Sequence, residues 1–168
     1  MDIRFFEDIR LFARKVEPLA RRKALRNTLL LESLRQGLET GTGGFLMATA
    51  EEGEMRLAAL YRPPFPLLVC VPEDRTWRQA ATRLGVALAE RTGEIPSVLG
   101  EAEPCRELAE SYAAVLGRRA DRGRCMTLMA LKRVDSQPDR PGRLRPAREA
   151  DLYFLPHWRT AYRRDCGL

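Results

Sequence analysis

The residues that could do chemistry in this chain are few and scattered. Its one histidine, His157, stands between Pro156 and Trp158. A multi-histidine metal site is therefore excluded by counting, and a lone base is the most that His157 could be, with no cysteine or fixed carboxylate beside it in sequence. The four cysteines, Cys70, Cys105, Cys125 and Cys166, form no CxxC pair, so neither a zinc knuckle nor a redox dithiol is encoded; the plainer expectation is small buried hydrophobes with reduced thiols. Glu51, Glu52 and Glu54 could pair as acid and base, yet the glycine among them marks a hairpin tip, where carboxylates are solvated. Gly41, Gly43 and Gly44 have the composition of a phosphate cradle, but they follow a helix and precede a strand, the wrong polarity for an anion site, and read as a helix stop. No catalytic, cofactor-binding or metal-ligating residue emerges from these patterns.

The 168 residues carry a formal net charge of +6 with a pI near 9.5, which raises the possibility of nucleic-acid binding. The distribution argues against it. Residues 41–116 are net acidic, with eleven acids to seven bases, and only Arg118, Arg119, Arg122 and Arg124 form a dense basic cluster. Lysine occurs only at Lys15, Lys23 and Lys132, an arginine bias that composition explains without phosphate recognition. The amino-terminal stretch mixes acids and bases where a signal peptide needs a basic start and an apolar run, and no apolar run spans a bilayer, so a cytoplasmic protein with no membrane partner is expected.

Hydrophobic periodicity orders the elements that would position any site. Phe5, Ile9, Phe12, Val16 and Leu19 have helical spacing, with Pro18 expected to bend or break the run; Leu30, Leu31, Leu34 and Leu38 make a second helix that stops at Gly41. Phe45–Ala50 and Met55–Tyr61 then alternate as a hairpin, which Pro63, Pro64 and Pro66 must end because proline has no amide to donate. Leu67–Val71 is a continuous apolar run, the mark of a strand covered on both faces. Thr76 and Gln79 have the spacing of a capping box before a helix with Trp77, Ala80, Ala81, Leu84 and Leu88 on its core side. Ser97–Leu99 is a short strand, Pro104 opens a helix carrying Leu108, Tyr112 and Val115, and Cys125–Val134 reads as one more strand. The fold class expected is α/β, a mixed sheet flanked by helices on both faces in the order ααβββαβαβ.

Pro138, Pro141, Gly142 and Pro146 among charges make residues 136–146 a linker. The organisation expected is thus a lobe over 1–135, the linker, and a new start over 147–168. Beyond the linker, Leu144–Ala147 is a short extended piece, and Leu152, Leu155, Trp158 and Tyr162 share one face of a helix over 149–165. So short a piece cannot bury that face on its own and needs a partner surface.

The segment Gly142–Gly167, with Leu144, Arg145, Ala147, Asp151, Trp158 and Tyr162, resembles the opening of a GNAT-type N-acetyltransferase domain. The element order of residues 5–134 is similar to the same fold lacking a clear first strand. With Arg62-Pro63-Pro64 after the hairpin and Leu99-Gly100 before the next helix, the chain resembles the two-lobed bacterial form, in which a degenerate amino-terminal GNAT-like lobe precedes a competent one. The resemblance implies acetyl transfer from acetyl-CoA to a primary amine, an acyltransferase reaction run by orientation, an oxyanion-stabilising amide and a general base.

It also implies where acetyl-CoA would bind. In such a domain a glycine-rich turn between the third strand and its following helix presents free amides to the pyrophosphate. This chain has Val71-Pro72-Glu73-Asp74-Arg75-Thr76 there: proline removes a donor, two acids repel an anion, and no glycine allows close approach. The nearest look-alike, Arg83-Leu84-Gly85-Val86-Ala87, falls inside a helix whose amides are already bonded. The expectation is a chain that binds no acetyl-CoA and is inactive alone, truncated before the phosphate turn of its second domain, its partner being that missing domain or a second chain, as in a homodimer. Trp158 and Tyr162 are candidate contacts to the acceptor substrate, weighed against an ordinary place in a helix core. The alternatives are an interaction module that docks a partner through helix 149–165, and a basic nucleic-acid-binding protein.

Overall fold

The computed structural model describes residues 1–41, 43–131, 133 and 145–166. They divide into two compact units, Met1–Ala130 and Leu131–Leu168. The first unit contains β1 (Asp2–Phe6), α1 (Ile9–Arg22), α2 (Thr28–Thr40), β2 (Leu46–Glu52), β3 (Glu54–Tyr61), β4 (Leu67–Cys70), α3 (Trp77–Arg91), β5 (Val98–Leu99) and α4 (Ala102–Val115). The strands lie in sequence order, antiparallel except for the parallel β4–β5 pair. The fold is therefore mixed α/β, built on a five-stranded mixed sheet.

Strand alternation divides the apolar residues between two layers. Met47, Ala58, Leu60 and Cys70 join Ile9, Phe12, Val16, Leu30 and Leu34 in one core under α1 and α2. Ala48, Leu57, Ala59, Leu67 and Val69 join Trp77, Ala81, Leu84, Leu88 and Leu108 in the other, under α3 and α4. Alternate positions on β2 and β3 thus feed opposite cores, which makes a helix, sheet and helix sandwich. Glycine sets the closest approach within the second core: a Cβ on Gly85 of α3 would stand 2.6 Å from the Leu108 carbonyl oxygen of α4. The Arg83–Ala87 string is helical and serves packing, as expected.

Several expectations need correction. Phe5 and Phe6 belong to β1, not to the first helix. Asp8 starts α1 by accepting a 2.7 Å hydrogen bond from the Arg10 amide, while Phe6 turns edge-on to Phe12 at 5.4 Å. The helical spacing of Phe5 and Ile9 concealed this boundary. Pro18 does not end α1, which continues to Arg22 with Leu19 and Ala20 buried; tertiary burial outweighs the missing amide. Hairpin strands β2 and β3 extend to leave only Gly53, at φ +70°, between them. Thr76 makes no side-chain cap to α3, so the capping box does not form. Cys125–Leu131 and Arg133 adopt no regular structure and Met126, Leu128 and Met129 are exposed, so no ladder forms over the described part of the expected strand Cys125–Val134, an extended segment gaining its hydrogen bonds only from a neighbour. The remainder of that strand, and the expected linker except Arg145 and Pro146, lie outside the described residues.

The second unit holds a short 3-10 helix, Glu149–Tyr153, followed by α5, Leu155–Asp165. The helix expected over 149–165 is thus divided at Phe154. No residue of α5 is buried. Among the described residues no helix is long and apolar enough to cross a membrane.

Candidate functional site

In an open sheet, ligands collect outside the carboxyl ends of parallel strands, where helix amino-termini also converge. Here that place is the end of β4 and β5, from which the chain enters α3 and α4. The residues that meet there come from four separate stretches of sequence, and they bond chiefly to one another.

On one side is Lys23, from the corner after α1. Its Nζ donates to Glu101 Oε1 at 2.7 Å and to the Pro72 carbonyl oxygen at 3.3 Å. Arg26 donates from Nη1 to the other oxygen of Glu101 at 3.2 Å. The Lys23 side chain is only 14% exposed, so this ion pair is partly dry. Lys23 thereby joins the turn after β4 to the residue that opens α4, and Asn27 anchors the same corner by donating to the Ala20 carbonyl oxygen at 3.0 Å. Gly100 allows the β5 end to close: a Cβ there would meet the Val69 carbonyl oxygen at 2.7 Å.

On the other side is the turn into α3. Thr76 donates its hydroxyl and, at 3.4 Å, its amide to Asp74 Oδ1. Arg56, the extra residue where the β2–β3 register shifts between Ala50 and Glu51, donates from Nη1 to the Thr76 hydroxyl at 3.1 Å and stands 3.7 Å from Asp74 Oδ2. The Thr76 hydrogen bonds, and behind them the Arg56 charge, hold the Asp74 carboxyl below its ordinary range, so it is ionised at neutral pH. The approach to the α3 amino-terminus thus carries a carboxylate of its own, bonded to the residue before the helix.

The thiols nearby are poor nucleophiles. Burial pushes Cys70 up to about 12, and burial with the adjacent Glu101 charge pushes Cys105 up to about 12. Both are neutral thiols at physiological pH. The expectation of buried cysteines holds for Cys70 and, in part, Cys105, but Cys125 and Cys166 are exposed, one on the irregular segment after α4 and the other past α5.

The remaining candidates of the first unit do not converge on this place. Glu51, expected to be solvated at a hairpin tip, is instead a strand residue that accepts from Thr49 at 2.6 Å and pairs with Lys15 at 2.7 Å. Its partial burial opposes ionisation, but the Lys15 and Thr49 hydrogen bonds outweigh that and lower its pKa. Glu52 and Glu54 flank Gly53. Gly41 ends α2 at φ +93°, as a helix stop should. In the second unit, Trp158 and Tyr162 are 62% and 65% exposed on α5, so neither has a place in a core; the Trp158 ring packs on Phe154, 4.9 Å between ring centres. His157 is exposed one residue away. Among the described residues no group of three or more His, Cys, Asp or Glu side chains could hold a metal ion.

Sequence reading found the turn at 71–76 but missed the residues that close it. Lys23 and Glu101 are 78 positions apart and Arg56 and Thr76 are 20 apart, so no local spacing announces either pair. Asp74, two residues before Thr76, was the one available signal, since an aspartate in that position commonly bonds the amide two residues on. In the second unit, the Arg145 and Asp151 singled out within the Gly142–Gly167 segment do meet. The guanidinium grips both carboxylate oxygens, at 2.8 Å for Nη2 to Oδ1, and the Arg148 amide adds 2.7 Å.

The chain was compared with known proteins: no family model, no curated protein and no solved structure matches it.

Proposed function

We propose that Met1–Ala130 is a bracing lobe of an acetyltransferase-type protein, a part that supports a catalytic partner domain and does not itself hold acetyl-CoA. The single observation that carries this reading is the self-closed end of β4 and β5. Asp74 stands just before α3 and accepts from Thr76, and the Lys23–Glu101–Arg26 cluster ties the opening of α4 to the corner after α1. A diphosphate approaching this place would meet the charges of Glu73 and Asp74 and would have to compete with Asp74 for the Thr76 amide, in a turn with no glycine to allow close approach. The reaction of the whole protein would be acetyl transfer from acetyl-CoA to a primary amine, with the donor held elsewhere than in this lobe. The GNAT reading rests on the sequence resemblance, and the mixed sheet with helices on both faces is compatible with it.

Isothermal titration of the chain with acetyl-CoA tests the proposal. No heat of binding is expected, and a saturable isotherm abolished by Arg56→Ala would overturn it.

A second reading is favoured by one observation in the second unit. Leu152, Tyr153, Trp158 and Tyr162 are all more than 60% exposed, a concentration of large apolar and aromatic side chains that suits docking to another protein surface. On this reading Trp158 and Tyr162 contact a partner domain and not an acceptor amine. Adding a small primary amine with acetyl-CoA would then leave Trp158 fluorescence unchanged, and quenching by the amine would favour the acceptor role.

A further inference from the structure

Cys125–Ala130 reads Cys-Met-Thr-Leu-Met-Ala, six residues without a charge. Met126, Leu128 and Met129 are 70%, 60% and 88% exposed. Such a run is suited to a ladder, and its unpaired exposure is the condition that drives strands to add to an open sheet edge. The sheet of this unit has two edges, and they are not alike. At one, β1 carries Asp2 and Arg4 exposed along the strand, the charges that discourage edge pairing. At the other, β5 and its flanks, Ile95 to Gly100, contain no charge at all.

Charge singles out the same edge. Residues 94–116, which contain β5 and α4, hold five acids against the single base Arg106, and Glu94 and Glu103, on either side of β5, are exposed. The stretch leading into the apolar run is the converse, with Arg118, Arg119, Arg122 and Arg124 against Asp121. Arg118 already donates to the Gly93 carbonyl oxygen at 3.0 Å, so a basic residue of this stretch is at home beside the β5 approach. Within a single chain the run does not lie on that edge. A second copy offers the same uncharged strand between the same acids, and mutual exchange of the two runs closes a two-fold dimer in which both β5 edges are paired.

We infer that Cys125–Ala130 of one copy adds as a strand to the β5 edge of a second copy, reciprocally, with the arginines before the run facing the acids that bracket β5. Apolar side chains and backbone ladder would supply the adhesion, and the opposite charges the choice of edge.

Light scattering combined with hydrogen exchange on the full chain tests this. The expected result is a particle of about twice the 19.1 kDa chain mass, in which amides 125–130 and 98–99 exchange at least about tenfold more slowly than in the diluted monomer. Because the residues involved are exposed, charge reversal leaves the cores intact. Arg122→Glu with Arg124→Glu should yield a monomer, as should Glu94→Arg with Glu103→Arg. Mixing the two variants should restore a dimer, since each interface is then complementary again. The inference is overturned by a wild-type monomer at every soluble concentration, whether amides 125–130 exchange freely or are protected by seating on their own sheet. It is equally overturned by a dimer indifferent to both charge reversals, which would place the contact on another surface.

Discussion

Helices α1 and α5 are written in similar language and end in opposite circumstances. Each carries apolar residues at helical spacing, each contains proline, and each has a pair of arginines in its last turn. Yet α1 buries Ile9, Phe12, Ala13, Val16, Leu19 and Ala20, whereas α5 buries nothing. The difference lies in what each helix has to face. In α1 the apolar stripe meets Met47, Ala58 and Leu60 of the sheet and Leu30 and Leu34 of α2. The second unit has no sheet among its described residues, and what holds it is polar, the Arg145 grip on Asp151. Amphipathic pattern states that a face is available for burial; only a facing surface converts it into stability.

Truncating the centre of the first core is the severest way to break this contrast. Phe12→Ala, at a fully buried ring, is expected to lower the unfolding free energy by about 3–5 kcal/mol in a urea titration. A loss under about 1 kcal/mol would mean that the α1 core is looser than its burial implies. Overfilling sharpens the same point from the other side. Gly85→Ala forces a methyl group against the Leu108 carbonyl, and a cost of about 1–3 kcal/mol in the same titration is expected; a neutral result would show that α3 and α4 can slide apart.

In the second unit the expected effects are local. The Arg145 hydrogen bonds, with the Arg148 amide behind them, hold the Asp151 carboxyl down at about 2. A carboxyl whose pKa is lower folded than unfolded stabilises the fold above its ordinary pKa, and loses that contribution as pH falls through the folded value. The turn before α5 should therefore keep its amide chemical shifts from neutrality down to the ordinary carboxylate range near 3.9, about the unperturbed aspartate value, and lose them progressively towards pH 2. Asp151→Asn should abolish that pH dependence without altering the urea midpoint of the first unit. The smallest effect is expected at Trp158→Ala, a change of less than about 0.5 kcal/mol in the stability of the chain. A larger loss would show that α5 covers something after all.

Particular residues show what could be read in advance. The alternation at Met55–Tyr61, the unbroken apolar run at Leu67–Cys70 and the stripe of Trp77, Ala81, Leu84 and Leu88 each announced their element, because a buried face imposes its own period on the chain. Gly41 announced the end of α2 for a backbone reason, a positive φ. β1 was hidden because Phe5 and Phe6 serve both cores from adjacent positions, while Phe5 also continues the helical spacing of Ile9. The segment at Cys125 was written like a strand and is not one within its own chain, because a ladder needs a neighbour whose presence no local pattern encodes.

The candidate site divides in the same way. Glu73 and Asp74 stand in the turn after β4 by sequence alone, and with Pro72 they give it two acids, one missing amide donor and no glycine. That Asp74 turns onto Thr76, that Arg56 reaches it from a bulge in β3, and that Lys23 spans from Pro72 to Glu101 were decided only when the chain folded. Composition and local spacing act through neighbours along the backbone, whereas an ion pair between residues 23 and 101 exists only because two cores, one on each face of the sheet, bring the corner after α1 and the start of α4 to the same end of the parallel strands.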